Sequence, residues 1–127
     1  KIVNNLIGLS VGVLLSEAFT MGIKAGVDAQ TLFEAVSGSS GNTTSMRSFP
    51  NGIFQRNFDP GFQVDLAAKD VGLATQLGRD LRVPMEMSNI AQQRYIDAQN
   101  KGWGRLAAGA VARVQEERSG IEIKPNE

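Results

Sequence analysis

Few side chains in this sequence can move a proton, and one of them stands at its head. The opening "KIVNN" puts Lys1 three residues before Asn4 and four before Asn5. On a helix those positions share a face, so an amine and two carboxamides would converge there. The carboxamide supplies fixed donors. The amine can give or take a proton once its pKa falls from about 10.4 towards neutrality. The positive end of a helix backbone pushes it that way. Such a trio can hold a hydroxyl or carbonyl oxygen from two sides and exchange a proton with it. The same spacing also serves for plain solvated side chains. A second pair, Lys69 and Asp70, sits inside the apolar run "VDLAAKDVGLA". It is either a satisfied structural pair at a helix margin or a group reaching towards a ligand.

The rest of the composition removes alternatives. The 127 residues contain no histidine and no cysteine. Thiol chemistry, disulfides, zinc fingers and Ser-His or Cys-His nucleophiles are therefore excluded, and no metal site is expected. Acid–base work must rest on Lys, Asp, Glu or Tyr95. The 13 basic and 13 acidic residues balance to zero net charge, which argues against a nucleic-acid grip and against an acidic disordered chain. The lack of cysteine fits a reducing, cytoplasmic setting. By length this is one domain, able to bury about two-thirds of its unfolded surface. The stretch Leu6–Ile23 is apolar enough to raise the question of a membrane. Ser10, Ser16, Glu17 and Thr20 interrupt it, and a charge in mid-span is costly, so no membrane span is expected. A signal peptide is not expected either.

The elements that must position these groups read as helices throughout. Residues 1–25 form one long helix, apolar nearly all round, as the centre of a bundle would be. Gly8 and Gly12 on it read as a site of close helix packing, and Gly26 closes it. Asp28 caps a second helix over 28–37. "SGSSGNTTS" is a loop, and residues 45–62 are irregular, with one short helical turn and aromatic anchors at Phe49, Phe54, Phe58 and Phe62. A third helix runs from 64 to 81 with Leu66, Val71, Leu73, Ala74 and Leu77 on its apolar side, ending before Pro84. A fourth covers 85–100 through Met85, Ile90, Ala91, Tyr95 and Ile96. A fifth spans 103–118, before a polar, frayed tail. No strand alternation is present. The expected fold is all-α, a bundle of about five main helices.

Taken together, five segments resemble the C-terminal helical domain of the β-hydroxyacid dehydrogenases, a family that includes 3-hydroxyisobutyrate dehydrogenase, tartronate semialdehyde reductase and, more distantly, 6-phosphogluconate dehydrogenase. They are "KIVNN" at 1–5, "SEAFTMGIKAGVD" at 16–28, "FDPGFQVDLAAKD" at 58–70, "LRVPM" at 81–85 and "KGWG" at 101–104. They follow in family order across about 115 of the 127 residues. The resemblance implies a fold like that of the 6-phosphogluconate dehydrogenase C-terminal domain. It implies NAD or NADP as cofactor, held chiefly by an N-terminal Rossmann domain that is absent from this chain. It also implies a small hydroxyacid or semialdehyde substrate and a homo-oligomer in which the first helix bridges domains and subunits. Lys1 matches the family's catalytic general acid/base. Asn5 matches the asparagine that orients substrate and lysine, with Asn4 beside it at the substrate. Lys69 matches the lysine near the nicotinamide end of the cofactor, and Phe62 lines the cleft on that side. Asp70 is expected to hold its helix in place.

Two departures qualify the resemblance. No "GxGxxG" fingerprint occurs, so residues 1–127 read as an excised C-terminal domain, incomplete as an enzyme alone. After "GWG" the family often carries charged residues and an aspartate, whereas Arg105 here precedes "LAAGAVA", which leaves the substrate preference open. Asn4 stands where 6-phosphogluconate dehydrogenase usually has histidine, and this favours the small-hydroxyacid branch. The rival reading is a non-catalytic helical module kept for dimerisation or interaction.

Overall fold

The structure, a computed structural model, describes residues 1–127. Five α-helices carry it: α1 (Ile2–Lys24), α2 (Ala29–Ser37), α3 (Val64–Asp80), α4 (Glu86–Asn100) and α5 (Ala112–Ser119). No sheet forms, and the single bridge pairs Gln63 with Ala107. The all-α expectation holds.

Helix α1 is the axis against which α2, α3, α4 and α5 all pack. By length and composition it could cross a membrane. In this fold its inner face is committed to the core, with Val13, Leu15, Ser16, Phe19 and Thr20 buried. The helix ends in a glycine-dependent turn. Gly26 takes φ +98°, its N–H bonds Ile23, and the Val27 N–H reaches back to Gly22 at 3.1 Å, so the last carbonyls are satisfied. Asp28 then caps α2 as expected. Its carboxylate accepts from the Gln30 and Thr31 N–H groups at 2.9 and 3.2 Å.

Two apolar clusters flank α1. In the first, Val13 meets Val64, Ala67 and Val71 of α3, Ala91, Tyr95 and Ala98 of α4, and Val111 and Val114. The alanines at these contacts let α3 and α4 approach closely. In the second, Leu15 and Phe19 meet Met46, Phe49, Ile53 and Phe54. The Phe19 and Phe49 rings lie 4.5 Å apart, and Phe54 meets Phe49 edge-on at 5.7 Å, an arrangement that aromatic quadrupoles favour. The irregular stretch thus holds more order than one short turn. A 3-10 helix over Thr44–Ser48 runs directly into a π-helix over Phe49–Ile53. Its anchors divide: Phe49 and Phe54 are buried, Phe58 lies at the edge of both clusters, and Phe62 is 44% exposed.

Three other expectations are corrected. The fifth helix begins at Ala112, after a 3-10 turn over Ala108–Val111, not at residue 103. Residues 104–108 instead pair with the approach to α3. The carbonyls of Leu106 and Gly104 accept from the Val64 and Asp65 N–H groups at 2.9 Å, and Ala107 and Ala108 donate to Phe58 and Phe62. Backbone carbonyls therefore do for the start of α3 what a capping side chain would. Leu66, Leu73, Leu77 and Ile90, read as core-facing, are exposed. The tail is docked, not frayed. Ile123 is fully buried, the Asn126 N–H donates to Asp28 at 2.6 Å, and the Ile123 N–H donates to Glu116 at 2.7 Å.

Glu116 is the pin of that docking. Its carboxylate is nearly buried and also accepts from Arg56 at 2.6 Å. Replacing Glu116 with Ala strands both donors, so the chain should lose about 2 kcal/mol in chemical denaturation. The same variant should show fast hydrogen exchange at Ile123. Unchanged stability and a still-protected Ile123 would show that the tail is held by its apolar contacts alone.

Candidate active site

The corner containing Lys1 is built at the first turn of α1. Lys1 occupies the N-cap position, with no side-chain cap and no acidic residue in the turn that follows. Its carbonyl accepts from the Asn5 N–H at 3.0 Å, which starts the helix and sets Asn5 on the side facing α3. There the Asn5 Nδ2 donates to Asp70 Oδ2 at 2.9 Å. Asn4 Nδ2 donates to Asn5 Oδ1 at 3.3 Å. Lys69 Nζ lies 3.4 Å from the other oxygen of Asp70. The two constellations legible in the sequence, 65 residues apart, are therefore one cluster, and Asp70 joins them.

Asp70 does more than hold its helix. Its carboxyl is held below the usual value of 3.8, first by the Asn5 hydrogen bond and further by the Lys69 and Lys1 charges, against an opposing effect of burial. A carboxylate that stays ionised fixes the Asn5 carboxamide: one N–H is committed to Asp70 and the oxygen to Asn4. One amide hydrogen remains for a ligand, fewer than the free carboxamide of the sequence reading.

Beside this corner is a cleft of about 580 Å³ lined by 17 residues. Asn4, Asn5 and Phe62 line it, whereas Lys1 and Lys69 do not. Lys69 connects to it through Asp70 and Asn5, and Lys1 and the Lys69 side chain are exposed. Gly8 and Gly12 form part of the wall, which corrects their reading as helix-packing positions. A Cβ on Gly8 would touch only Ser45 Oγ at 3.9 Å, and one on Gly12 only Tyr95 Oη at 3.8 Å. No helix needs the room; the cleft gains it. Tyr95, an acid–base candidate by elimination, is withdrawn from proton transfer. It is 1% exposed, its hydroxyl donates to the Leu9 carbonyl at 2.8 Å, and burial pushes its phenol well above the usual range.

Sequence reasoning missed one part of the lining. Thr44, Ser45, Arg47 and Ser48 line it, brought there by the Ser45 Oγ donating to the Gly8 carbonyl at 2.9 Å. The polar loop composition gave no sign of this, because the contact spans 37 residues. Chemically, the cleft combines a carboxamide oriented from behind by an ionised carboxylate, one guanidinium and several hydroxyls with apolar walls. It suits a small polar molecule that must be aligned and exchange a proton.

Comparison with known proteins gives this geometry a family. Residues 1–115 match the family model described as the NAD-binding domain of NADP-dependent 3-hydroxyisobutyrate dehydrogenase. The chain belongs to this β-hydroxyacid dehydrogenase family, whose cofactor is NAD or NADP. It is 35% identical over 124 residues to a 2-(hydroxymethyl)glutarate dehydrogenase of Eubacterium barkeri, which covers 97% of this chain and 41% of that protein. It is 26% identical over 125 residues to the 3-sulfolactaldehyde reductase of Escherichia coli, covering 98% and 42%. Its fold matches a crystal structure of 3-hydroxyisobutyrate dehydrogenase from Salmonella typhimurium with a TM-score of 0.84 at 24% identity, over 90% of this chain and 40% of that one. The chain thus spans about two-fifths of the length of these relatives.

The Asp70 linkage is testable by titration. Because its carboxyl is depressed in the fold, the stabilisation it provides is present above the unfolded value and is lost as pH falls through the folded one. The Asn5 side-chain amide resonances should shift with a midpoint below 3.8. In Asp70→Asn that transition should vanish. A midpoint at or above the ordinary value would remove the linkage.

Proposed function

We propose that this chain is the substrate-side helical domain of an NAD(P)-dependent oxidoreductase that interconverts a small β-hydroxyacid and its semialdehyde. The observation that carries the reading is the hydrogen bond from Asn5, which lines the cleft, to Asp70, the carboxylate that Lys69 also meets. In this reading Lys1 takes the proton of the substrate hydroxyl in oxidation and returns it in reduction. Asn5, fixed by Asp70, directs its free amide hydrogen at the same oxygen, and Asn4 flanks it.

The residues present fit one end of the dinucleotide. Phe62 offers an exposed aromatic ring at the cleft and Lys69 an exposed ammonium, suited to a flat ring and to an anionic group. No glycine-rich phosphate turn occurs, so an N-terminal Rossmann domain of the same protein is the partner proposed to hold the phosphates. When bound, NAD(P)+ supplies the hydride acceptor for the carbinol carbon. The helical fold corresponds in this reading to the C-terminal domain of the 6-phosphogluconate dehydrogenase group. Names of relatives point to small acids bearing a hydroxymethyl or aldehyde group, which is the substrate class proposed here.

One observation favours a second reading, a non-catalytic dimerisation or interaction module. Val3, Ile7, Leu14 and Met21 recur along one side of α1 and are all exposed, as are Leu66, Leu73 and Leu77 of α3. Apolar faces of this kind mark contacts with other chains or domains. They serve a homo-oligomeric dehydrogenase equally well, so activity decides.

In the full-length protein, Lys1→Ala should lower turnover by about 10²- to 10⁴-fold and leave the oligomer intact by light scattering. Turnover of a hydroxyacid that survives this change would remove Lys1 from the chemistry. No turnover in the unmutated protein with either NAD+ or NADP+ would favour the module.

A further inference from the structure

Burial gives the cleft a rim and a floor. Asn4, Thr44, Arg47, Ser48 and Phe62 line it and are exposed, so they form the rim. Phe49, Ile53, Tyr95 and Val111 line it and are buried, so they form the floor. The rim is mostly polar. The floor is apolar except for the Tyr95 hydroxyl, whose proton is committed to the Leu9 carbonyl. None of these floor side chains has a hydrogen-bond donor to offer, and a charged group placed there would lose water without replacement.

Helix α1 runs from rim to floor. Asn4, Gly8 and Gly12 follow one another at one-turn intervals along it, and all three line the cleft. At 1.5 Å per residue, Gly12 lies about 12 Å beyond Asn4 along the axis. A Cβ on Gly8 would come nearest to Ser45 Oγ, at middle depth, and one on Gly12 nearest to Tyr95 Oη, at the floor. Neither glycine has a positive φ, and neither is crowded by a neighbour. Glycine inside a helix is less stable than alanine, yet two stand here with no packing or backbone reason. What they provide is an open passage from the carboxamides to the apolar floor. The cleft, at about 580 Å³, is in the range of sites that enclose ligands much larger than a three-carbon acid.

We propose that Gly8 and Gly12 are specificity-determining residues: they admit a hydroxyacid bearing an unbranched alkyl substituent, which runs along α1 from the reacting group beside Asn5 to the floor. This inference rests on the dehydrogenase reading above.

The test uses the full-length protein and a series of 2-alkyl-3-hydroxypropionates from methyl to butyl. One further compound replaces the terminal methyl of the butyl arm with carboxylate. In the unmutated protein kcat/KM should rise roughly ten- to fiftyfold from methyl to butyl, and the butyl compound should outrun its carboxylate counterpart. Gly12→Ala should lower the butyl-to-methyl ratio several-fold, mainly through KM, and Gly12→Leu should abolish it. The alanine variant should also melt at a higher temperature than the parent, a combination that damage to the fold does not produce; if the leucine variant does not fold, the alanine variant decides. A flat series in the unmutated protein would overturn the proposal and leave the dehydrogenase reading intact. So would a faster carboxylate compound, a Gly12→Ala variant that keeps the full ratio, or one that melts lower than the parent. Failure to turn over any compound with NAD+ or NADP+ would overturn both.

Discussion

The Asp70 carboxylate, accepting from Asn5 at 2.9 Å, is the contact on which the site depends. The first turn of α1 is exposed and has no side-chain cap, and helix ends of that kind fray. A charge-assisted hydrogen bond to a neighbouring helix holds it, and such bonds are about twice as strong as neutral ones. The same carboxylate sets the orientation of the carboxamide and meets Lys69 at 3.4 Å. Stability and chemistry at this corner draw on one group.

Asp70 can serve as an anchor only because α3 is itself fixed. Its first N–H groups are taken by the carbonyls of Leu106 and Gly104, and its inner face, with Val64, Ala67 and Val71, is buried against α1 and α4. The cleft persists between two cores that do not merge. Glycines on α1 keep one wall thin, and the Ser45–Gly8 bond draws the Thr44–Ser48 turn up as the other. The result is an opening lined by the carboxamides of Asn4 and Asn5 and by one cation, Arg47.

Much of the helical layout was readable because its signals are local. Apolar periodicity marked α1, α3 and α4 to within a residue or two, Asp28 announced α2, and Pro84 marked the break between α3 and α4. Where the reading failed, distant pairing had overruled local preference. Leu106, Ala107, Ala108 and Ala110 are good helix formers, yet the backbone of residues 104–108 is used to close the start of α3. The tail looked polar because Ile123 is a single buried residue among charges. Leu66, Leu73, Leu77 and Ile90 showed that periodicity reveals an apolar face without saying whether this chain or another covers it.

The candidate site divides along the same line. Lys1, Asn5 and Lys69 were legible as residue types at suggestive spacings, and Phe62 through the family resemblance. The union of Asn5 and Lys69 through Asp70 required the fold. Arg47 left no mark in the sequence, since its place in the cleft comes from a loop crossing to Gly8.

The central claim is that Asp70 acts on the substrate through Asn5, as one unit. A double-mutant cycle in the full-length protein, with Asn5→Ala and Asp70→Ala measured singly and together in kcat/KM, tests it most directly. If the two form a unit, the double variant should be little worse than the poorer single variant. Losses that simply multiply would show that the two side chains act independently and would contradict the account.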